Sequence, residues 1–273
     1  MRHLISPLIV VSITLAGCNS GSRQHRIEGE ITSAIWYGRH AEEIEQLVQQ
    51  ADDPSQAAYV AAYEVLHLSG LPTQLRRNWA YYRTIPPSST PSVEIYEVVN
   101  RYKVSVLRAL VPHRVSLYQL QEHRPLVFWS DWGNPPMTPE LLTFLLENGY
   151  DPNADGDRPS ALGNCARPGQ SFLRYDHKYE MIKALLKHGA NPNVTSLGQP
   201  ILHELIVYHK DNPHLLEIIQ LLLDAGADVN VIDSGKTPLD IAIEFKDECP
   251  EDPQGPKMVD LFKRYDGKRS TDL

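Results

Sequence analysis

The phrase LLENGYDPN (Leu145–Asn153) returns as LLKHGANPN (Leu185–Asn193) and as LLDAGADVN (Leu222–Asn230). Recurrence of one phrase at intervals of 40 and 37 residues indicates a repeated structural unit. In each copy, paired leucines are typical of the last turn of a helix, and the glycine after them favours a positive φ that ends the helix. A polar loop then closes on asparagine. The sequence therefore predicts three helix ends of one conformation, at Gly149, Gly189 and Gly226.

A second helix start follows each phrase. It carries a proline, at Pro159, Pro200 or Pro238. We expect each proline at the first helical position, because its missing N–H would lack a partner there. Apolar residues at helical spacing predict the partner helices, which are Thr138–Glu147, Lys178–His188, His214–Ala225 and a last pair, Thr237–Phe245 and Lys257–Tyr265.

These motifs resemble the ankyrin repeat family, whose unit has two helices, a Gly-terminated loop and a Thr-Pro-Leu-His start. The resemblance covers residues 125–265 and implies an all-α solenoid of helix pairs. The intervals of 40 and 37 residues exceed the family's repeat of about 33, so the loops have been lengthened. In the family, the histidine after Pro-Leu bonds across loops, and this is the role expected for His203.

The N-terminal half is helical in pattern but repeats no phrase. Thr32–Val48 predicts two short helices joined near Gly38, and we expect further helices at Ser55–Leu68, with Ser55 as the N-cap, at Leu71–Tyr82 and at Val93–Val111. Two interpretations of residues 31–124 stay open. The segment either continues the stack as degenerate repeats with one insertion, or forms a separate small helical domain. At the other end, residues 266–273 read as a mobile polar tail.

Residues 1–17 have the basic start and the short apolar run of a signal peptide. Leu15-Ala16-Gly17-Cys18 resembles the bacterial lipobox, which implies cleavage before Cys18 and acylation of that cysteine. Residues 18–30 then form a lipidated tether, and structure begins near Ile31. Asn19 is not the aspartate that retains lipoproteins in the inner membrane, so the resemblance favours the periplasmic face of the outer membrane.

The composition of the chain limits its partners. A net charge of −8 over 273 residues argues against nucleic acid as a ligand. The 42% of hydrophobic residues is ordinary for a soluble protein with a core.

The sequence predicts no catalytic, cofactor or metal site. His203-Glu204 begins a zinc-protease phrase, but the position of the second ligand is Val207. Cys165 and Cys249 belong to units two steps apart, which predicts two unpaired thiols. An enzyme with its active site within residues 31–124 remains an alternative from another class.

A stack of helix pairs presents an extended concave face, so we predict a protein-binding device. On the family's pattern, contact positions fall at loop tips and after inner helices. Mapped onto this chain, they are Asp131, Trp132, Asp157, Arg158, Arg174, Tyr175, Gln199, Tyr208, His209, Lys210, Ser234 and Lys236.

The family and the lipid anchor together suggest two functions. Ankyrin-bearing lipoproteins resemble immunity proteins that neutralise toxic effectors, notably phospholipases delivered between bacteria by type VI secretion. The alternative is an envelope scaffold that binds resident periplasmic or membrane proteins.

Overall fold

The computed structural model describes residues 23–68, 93–113, 115, 137–153, 160–166, 174–196, 198–208 and 211–273. These residues are mostly helical. In chain order the helices are α1 (Arg23–Tyr37), α2 (Ala41–Gln50), α3 (Pro54–Leu66), α4 (Val93–Leu110), α5 (Pro139–Glu147), α6 (Ala161–Ala166), α7 (Tyr175–Lys187), α8 (Ile201–Tyr208), α9 (Leu215–Asp224), α10 (Pro238–Glu248) and α11 (Gln254–Arg264). Short 3₁₀ turns lie at Val111–His113 and Ser270–Asp272, and a hairpin pairs β1 (Thr195–Ser196) with β2 (Gln199–Pro200).

The helices pack as pairs in two parallel rows. The outer row runs α2, α4, α5, α7, α9 and α11, and each of these helices contacts the next. In the inner row α1 contacts α3, and α8 lies between α6 and α10. The pairs are α1 with α2, α3 with α4, α6 with α7, α8 with α9, and α10 with α11. The helix-pair architecture expected from the repeats is therefore confirmed.

The hydrophobic core runs along the space between the two rows. One buried cluster extends from Ile27 in α1 to Phe262 in α11. The N-terminal helices join it because α4 packs on α2, α3 and α5. None of the described helices combines the length and the apolar character that crossing a bilayer requires.

The three repeated phrases end their helices as expected. Gly149, Gly189 and Gly226 have φ of 94°, 85° and 92°, a conformation in which a side chain would be strained. In the second copy, the N–H of Ala190 donates to the carbonyl of Leu185 at 3.0 Å, which closes the helix end. Asp266 occupies the equivalent position after α11 and also has a positive φ, of 61°, although it lacks the conformational freedom of glycine.

The closing asparagine of each phrase links its loop to the next loop. Its Nδ2 donates to the carbonyl of the residue with positive φ, and its Oδ1 accepts from the N–H two residues further on. Asn153 donates to the carbonyl of Gly189 at 2.8 Å and accepts from the N–H of Asn191 at 2.8 Å. Asn193 donates to Gly226 at 3.1 Å and accepts from Asp228 at 2.7 Å. Asn230 donates to Asp266 at 3.4 Å and accepts from Lys268 at 2.7 Å. We call these three links the asparagine ladder.

The inner helices start in different ways. Pro238 is the first residue of α10, as expected, and Thr237 forms a capping box with Asp240. Pro200 instead lies in β2, immediately before α8, so the prediction for this proline was wrong. The hairpin extends up to the start of the helix and includes the proline. Pro159 lies outside the described residues.

The position of His203 is occupied differently in each inner helix. His203 Nε2 lies 3.0 Å from the carbonyl oxygen of Lys236, which confirms its expected link across loops. In α6 the equivalent residue is Gly163, where a Cβ would come within 3.0 Å of the carbonyl oxygen of Thr195. The next loop therefore approaches α6 too closely for a side chain.

The N-terminal helices differ in detail from the expectation. The two short helices meet at Gly38, but α1 begins at Arg23 rather than near Ile31, within the expected tether. Buried Ile27 adds a turn to the apolar face, and the N–H of Asp53 donates to Gln24 Oε1 at 2.9 Å. Asp53, not Ser55, caps α3, because its carboxylate accepts from two N–H groups of the first turn. The expected helix Leu71–Tyr82 lies outside the described residues.

The C-terminal tail is attached to the last repeat, so the expectation of a mobile tail was wrong for its first residues. The Oγ1 of Thr237 donates to the carbonyl of Lys268 at 2.7 Å. Asp240, 6% exposed, accepts from Arg269 Nε at 3.0 Å and from the Ser270 N–H at 2.8 Å. A buried carboxylate in α10 thus holds the tail.

Candidate protein-binding surface

Half of the predicted contact residues lie in the part of the chain that the structure describes. These are Arg174, Tyr175, Gln199, Tyr208, Ser234 and Lys236. The other predicted positions, Asp131, Trp132, Asp157, Arg158, His209 and Lys210, lie outside the described residues, as does Cys18.

Three of the described residues lie at the loop tips before inner helices. Gln199 belongs to the hairpin before α8, and Ser234 and Lys236 belong to the bridge before α10. Ser234 and Gly235 both have positive φ, at 52° and 78°, which gives a tight turn of the kind that matches strand twist.

Lys236 forms an ion pair within the protein in the absence of a partner. Its Nζ bonds to Glu244 Oε2 at 2.7 Å, so the loop tip is fixed along α10. This hydrogen bond raises the pKa of Lys236. Both side chains are about half exposed, and a protein partner can therefore compete for either charge.

Tyr208 lies at the other end of its inner helix. It is 54% exposed, and its neighbour Val207 is 39% exposed. Counting from His203 and Asp240, Val207 takes the register position that Glu244 takes in α10. Two apolar side chains of α8 therefore lie beside an acidic position of the next inner helix, a mixture suited to interfaces.

Arg174 and Tyr175 begin α7, in the turn between inner and outer helices. Arg174 donates to Asp176 Oδ2 at 3.3 Å, and His214 Nε2 lies 2.9 Å from Asp176 Oδ1. The His214 bond is the main reason why the pKa of Asp176 is lowered. The ring of Tyr179 stacks on His214 at 4.8 Å. These bonds hold two neighbouring turns together and leave Tyr175 41% exposed.

The predicted contact residues form an extended face and do not converge on one point. Gln199 and Tyr208 lie at opposite ends of α8, whose eight residues span about 12 Å. Sequence reasoning missed Asp176, Val207, His214 and Glu244. Aligning the repeats could have placed Asp176 near His214, because they are 38 residues apart, one more than the interval of 37 between these two repeats.

Several ionisable groups lie inside the stack. Burial lowers the pKa of Lys178, whose ionisable neighbours include Cys165 and Glu204 of the flanking inner helices. Burial also raises the pKa of the Cys165 thiol to about 12. Cys165 and Cys249 are both free thiols. These groups belong to the packing between units.

The N-terminal helices hold two more buried ionisable groups. Burial lowers the pKa of Lys103 to about 7, and its Nζ donates to the carbonyl of Leu66 at 3.0 Å. Burial raises the pKa of Glu64, whose Oε2 accepts from Trp36 Nε1 at 3.1 Å. A cavity of about 40 Å³ nearby is lined by apolar side chains and Asn148. Among the described residues, no group of three potential metal ligands comes together.

Comparison with protein families gives one match. A model of three consecutive ankyrin repeats matches residues 136–233 and, overlapping, residues 173–251. The comparison with curated proteins found no match, and neither did the comparison with solved structures.

The matched range extends from α5 to α10 and contains the surface described above and the first two links of the asparagine ladder. The third link ends beyond this range, at Asp266 and Lys268. Ankyrin repeats are protein-binding scaffolds, and no enzyme family was found. Residues 136–251 of this chain therefore match the ankyrin repeat family, and this match indicates a protein-binding module.

Proposed function

We propose that this protein is a lipid-anchored, periplasm-facing inhibitor that binds a toxic secreted enzyme, and thus acts as an immunity protein. The observation that carries the proposal is the sequence Leu15-Ala16-Gly17-Cys18 ahead of a protein-binding ankyrin module. An acylated Cys18 would keep the binding face at the membrane, where a phospholipase effector acts.

The exposed face supports a protein partner. Tyr175 and Tyr208 are exposed on neighbouring units, and tyrosine is among the residues that most often dominate interface energy. Glu244, Asp247 and Glu248 are exposed on α10 and suit a partner with basic residues around its cleft. Insertion of this face into the cleft would block entry of substrate.

The anchor is tested by replacing Cys18. The Cys18→Ser protein is expected to fold but to leave the membrane fraction, because several acyl chains are needed for stable attachment. Retention of Cys18→Ser protein in the membrane would overturn the anchor.

The partner is tested by capture with protein starting at Asn19, from effectors in culture medium and from outer-membrane extracts. Recovery of one secreted hydrolase at equal stoichiometry, with its activity abolished, is the expected result. Recovery of resident envelope proteins alone would replace the inhibitor by an envelope scaffold.

A further inference from the structure

The last turn of α1 exposes two adjacent aromatic side chains. Trp36 is 45% and Tyr37 54% exposed, whereas Ile31 and Ile35 of the same helix are fully buried against the rest of the stack. α1 therefore has a buried aliphatic face and an exposed face that ends in aromatic rings.

The helices behind this pair bond to the Trp36 ring and to the turn after Tyr37. Trp36 Nε1 donates to Glu64 Oε2 of α3 at 3.1 Å. The hydroxyl of Tyr102 in α4 donates to the carbonyl of Arg39 at 3.1 Å, which fixes the turn directly after Tyr37. Trp36 and the turn after Tyr37 are thus both bonded to neighbouring helices.

We propose that the exposed face of α1 lies on the membrane that holds the Cys18 acyl chains, with Trp36 and Tyr37 in the headgroup region. The inference rests on the lipid anchor of the proposed function. Trp and Tyr suit this location because their rings are largely apolar, and the indole N–H of Trp36 is already bonded to Glu64.

The length of the chain brings α1 to the bilayer. Cys18 and Arg23 are five residues apart, and five residues span at most about 18 Å when fully extended. An acylated Cys18 lies at the bilayer surface, so the first residue of α1 lies within that distance of it. The helix itself is about 22 Å long, which is short enough for both ends to contact one surface.

The charges of this face do not oppose contact with anionic lipids. Three arginines pair with carboxylates: Arg23 with Asp52 at 4.0 Å, Arg26 with Glu30 at 3.8 Å, and Arg39 with Glu43 at 3.6 Å. Residues 23–40 contain three arginines against two glutamates, although the whole protein has a net charge of −8. Residues 23–40 are thus close to neutral in charge, and a negative surface does not repel them strongly.

The test uses the lipidated full-length protein in vesicles of phosphatidylethanolamine and phosphatidylglycerol. Cys249 is replaced by Ser, and a nitroxide label is attached to Tyr37→Cys or, as the matched control, to Tyr208→Cys. Both tyrosines are 54% exposed. Cys165 does not compete for the label, because it is buried and burial raises the pKa of its thiol. Thermal unfolding of each labelled variant checks that the fold is kept.

We expect a severalfold loss of collisions with a water-soluble nickel chelate at position 37 but not at position 208, together with more collisions with oxygen, which partitions into lipid. Equal nickel accessibility at both positions, in protein that sediments with the vesicles, would overturn the contact and leave the anchor standing. Protein that stays in the supernatant would overturn both. Protection of position 37 only after soluble envelope proteins are added would assign the aromatic pair to a protein partner and also overturn the inference.

Discussion

The side chain of Asn193 bonds to Gly226 across a repeat boundary, where it donates to the glycine carbonyl at 3.1 Å, and it also accepts from the Asp228 N–H at 2.7 Å. Asn191, in the same loop, bonds within it, because its Oδ1 accepts from the N–H of Asn193 at 2.9 Å. We expect Asn193→Ala to lower the free energy of unfolding by about 1–2 kcal/mol, since two backbone groups lose their partner. Asn191→Ala is the control and is expected to cost less. Urea unfolding measures both, and equal losses would contradict a stabilising role for the ladder.

Exchanging the residues at two helix ends tests the backbone conformation. Asp266 has a positive φ of 61°, at the place that glycine occupies after the other repeats. We expect Asp266→Gly to raise the free energy of unfolding by up to about 1 kcal/mol, because a side chain is strained there. Gly226→Asp is expected to lower it by a similar amount, and no atom lies within 4 Å of a Cβ at that position. Loss of stability in both variants would show that side-chain contacts matter more than φ.

Asp240 predicts a dependence of stability on pH. Burial raises the pKa of this carboxyl, but hydrogen bonds from Ser270, Thr237 and Arg269 outweigh burial and hold the pKa well below its usual range. The ionised form therefore stabilises the fold fully above about pH 4, the unfolded value, and the contribution is lost as pH falls towards the folded pKa.

We expect Asp240→Asn to cost about 2 kcal/mol at pH 7 and much less at pH 3. Urea unfolding at the two pH values measures the difference. Asp247→Asn, at an exposed position of the same helix, is the control and is expected to have little effect at either pH. A cost of Asp240→Asn that does not change with pH would contradict the assigned charge.

Lys103 predicts a second rise of stability with pH, in alkaline solution. Burial lowers its pKa to about 7, so between pH 7 and about 10.4 the unfolded chain binds a proton that the folded protein does not. Stability due to this residue therefore rises with pH across that range, and it is constant below it.

We expect Lys103→Met to raise the free energy of unfolding at pH 7 by at least about 1 kcal/mol and to remove the rise towards pH 9.5. Lys257→Met, at an exposed position of α11, is the control and is expected to keep the rise. A Lys103→Met protein less stable than the parent at pH 7 would mean that the bond to the Leu66 carbonyl outweighs the cost of burying the amine.

Tyr208 predicts the location of the partner. We expect Tyr208→Ala to weaken binding of the captured partner roughly tenfold, because exposed tyrosines at an interface contribute strongly to affinity. Tyr37→Ala removes an equally exposed tyrosine from α1 and is expected to leave the affinity unchanged. Titration calorimetry with the soluble protein measures both. The reverse result would place the partner on the N-terminal helices.

The features that could be predicted from the sequence are those that each repeat specifies locally. Paired leucines, a glycine and a polar loop predict the helix end at Gly189, and a proline after threonine predicts the start at Pro238. The helix-pair fold follows from them. These predictions are strong because the same phrase occurs three times and each copy predicts the same local structure.

The features that could not be predicted depend on contacts between distant segments. Asp240 stands where the family has histidine, and the sequence does not show that its partners come from the tail at Arg269 and Ser270. Buried Lys103 lies in a helix without repeats, so no register relates it to Leu66. The binding face has the same limitation, because Tyr175 and Tyr208 are identified as exposed only once the turns around them are known.

The hydrogen bonds of the asparagine ladder, which join each repeat to the next, do not depend on how many residues a repeat contains. The residues with positive φ follow one another at intervals of 40, 37 and 40 residues, yet the same pair of hydrogen bonds forms at each boundary. Segments away from the ladder can therefore differ in length without breaking these hydrogen bonds. Those segments are also the sites at which an engineer could insert a foreign loop, or change which partner is bound, while the hydrogen bonds between the repeats are kept.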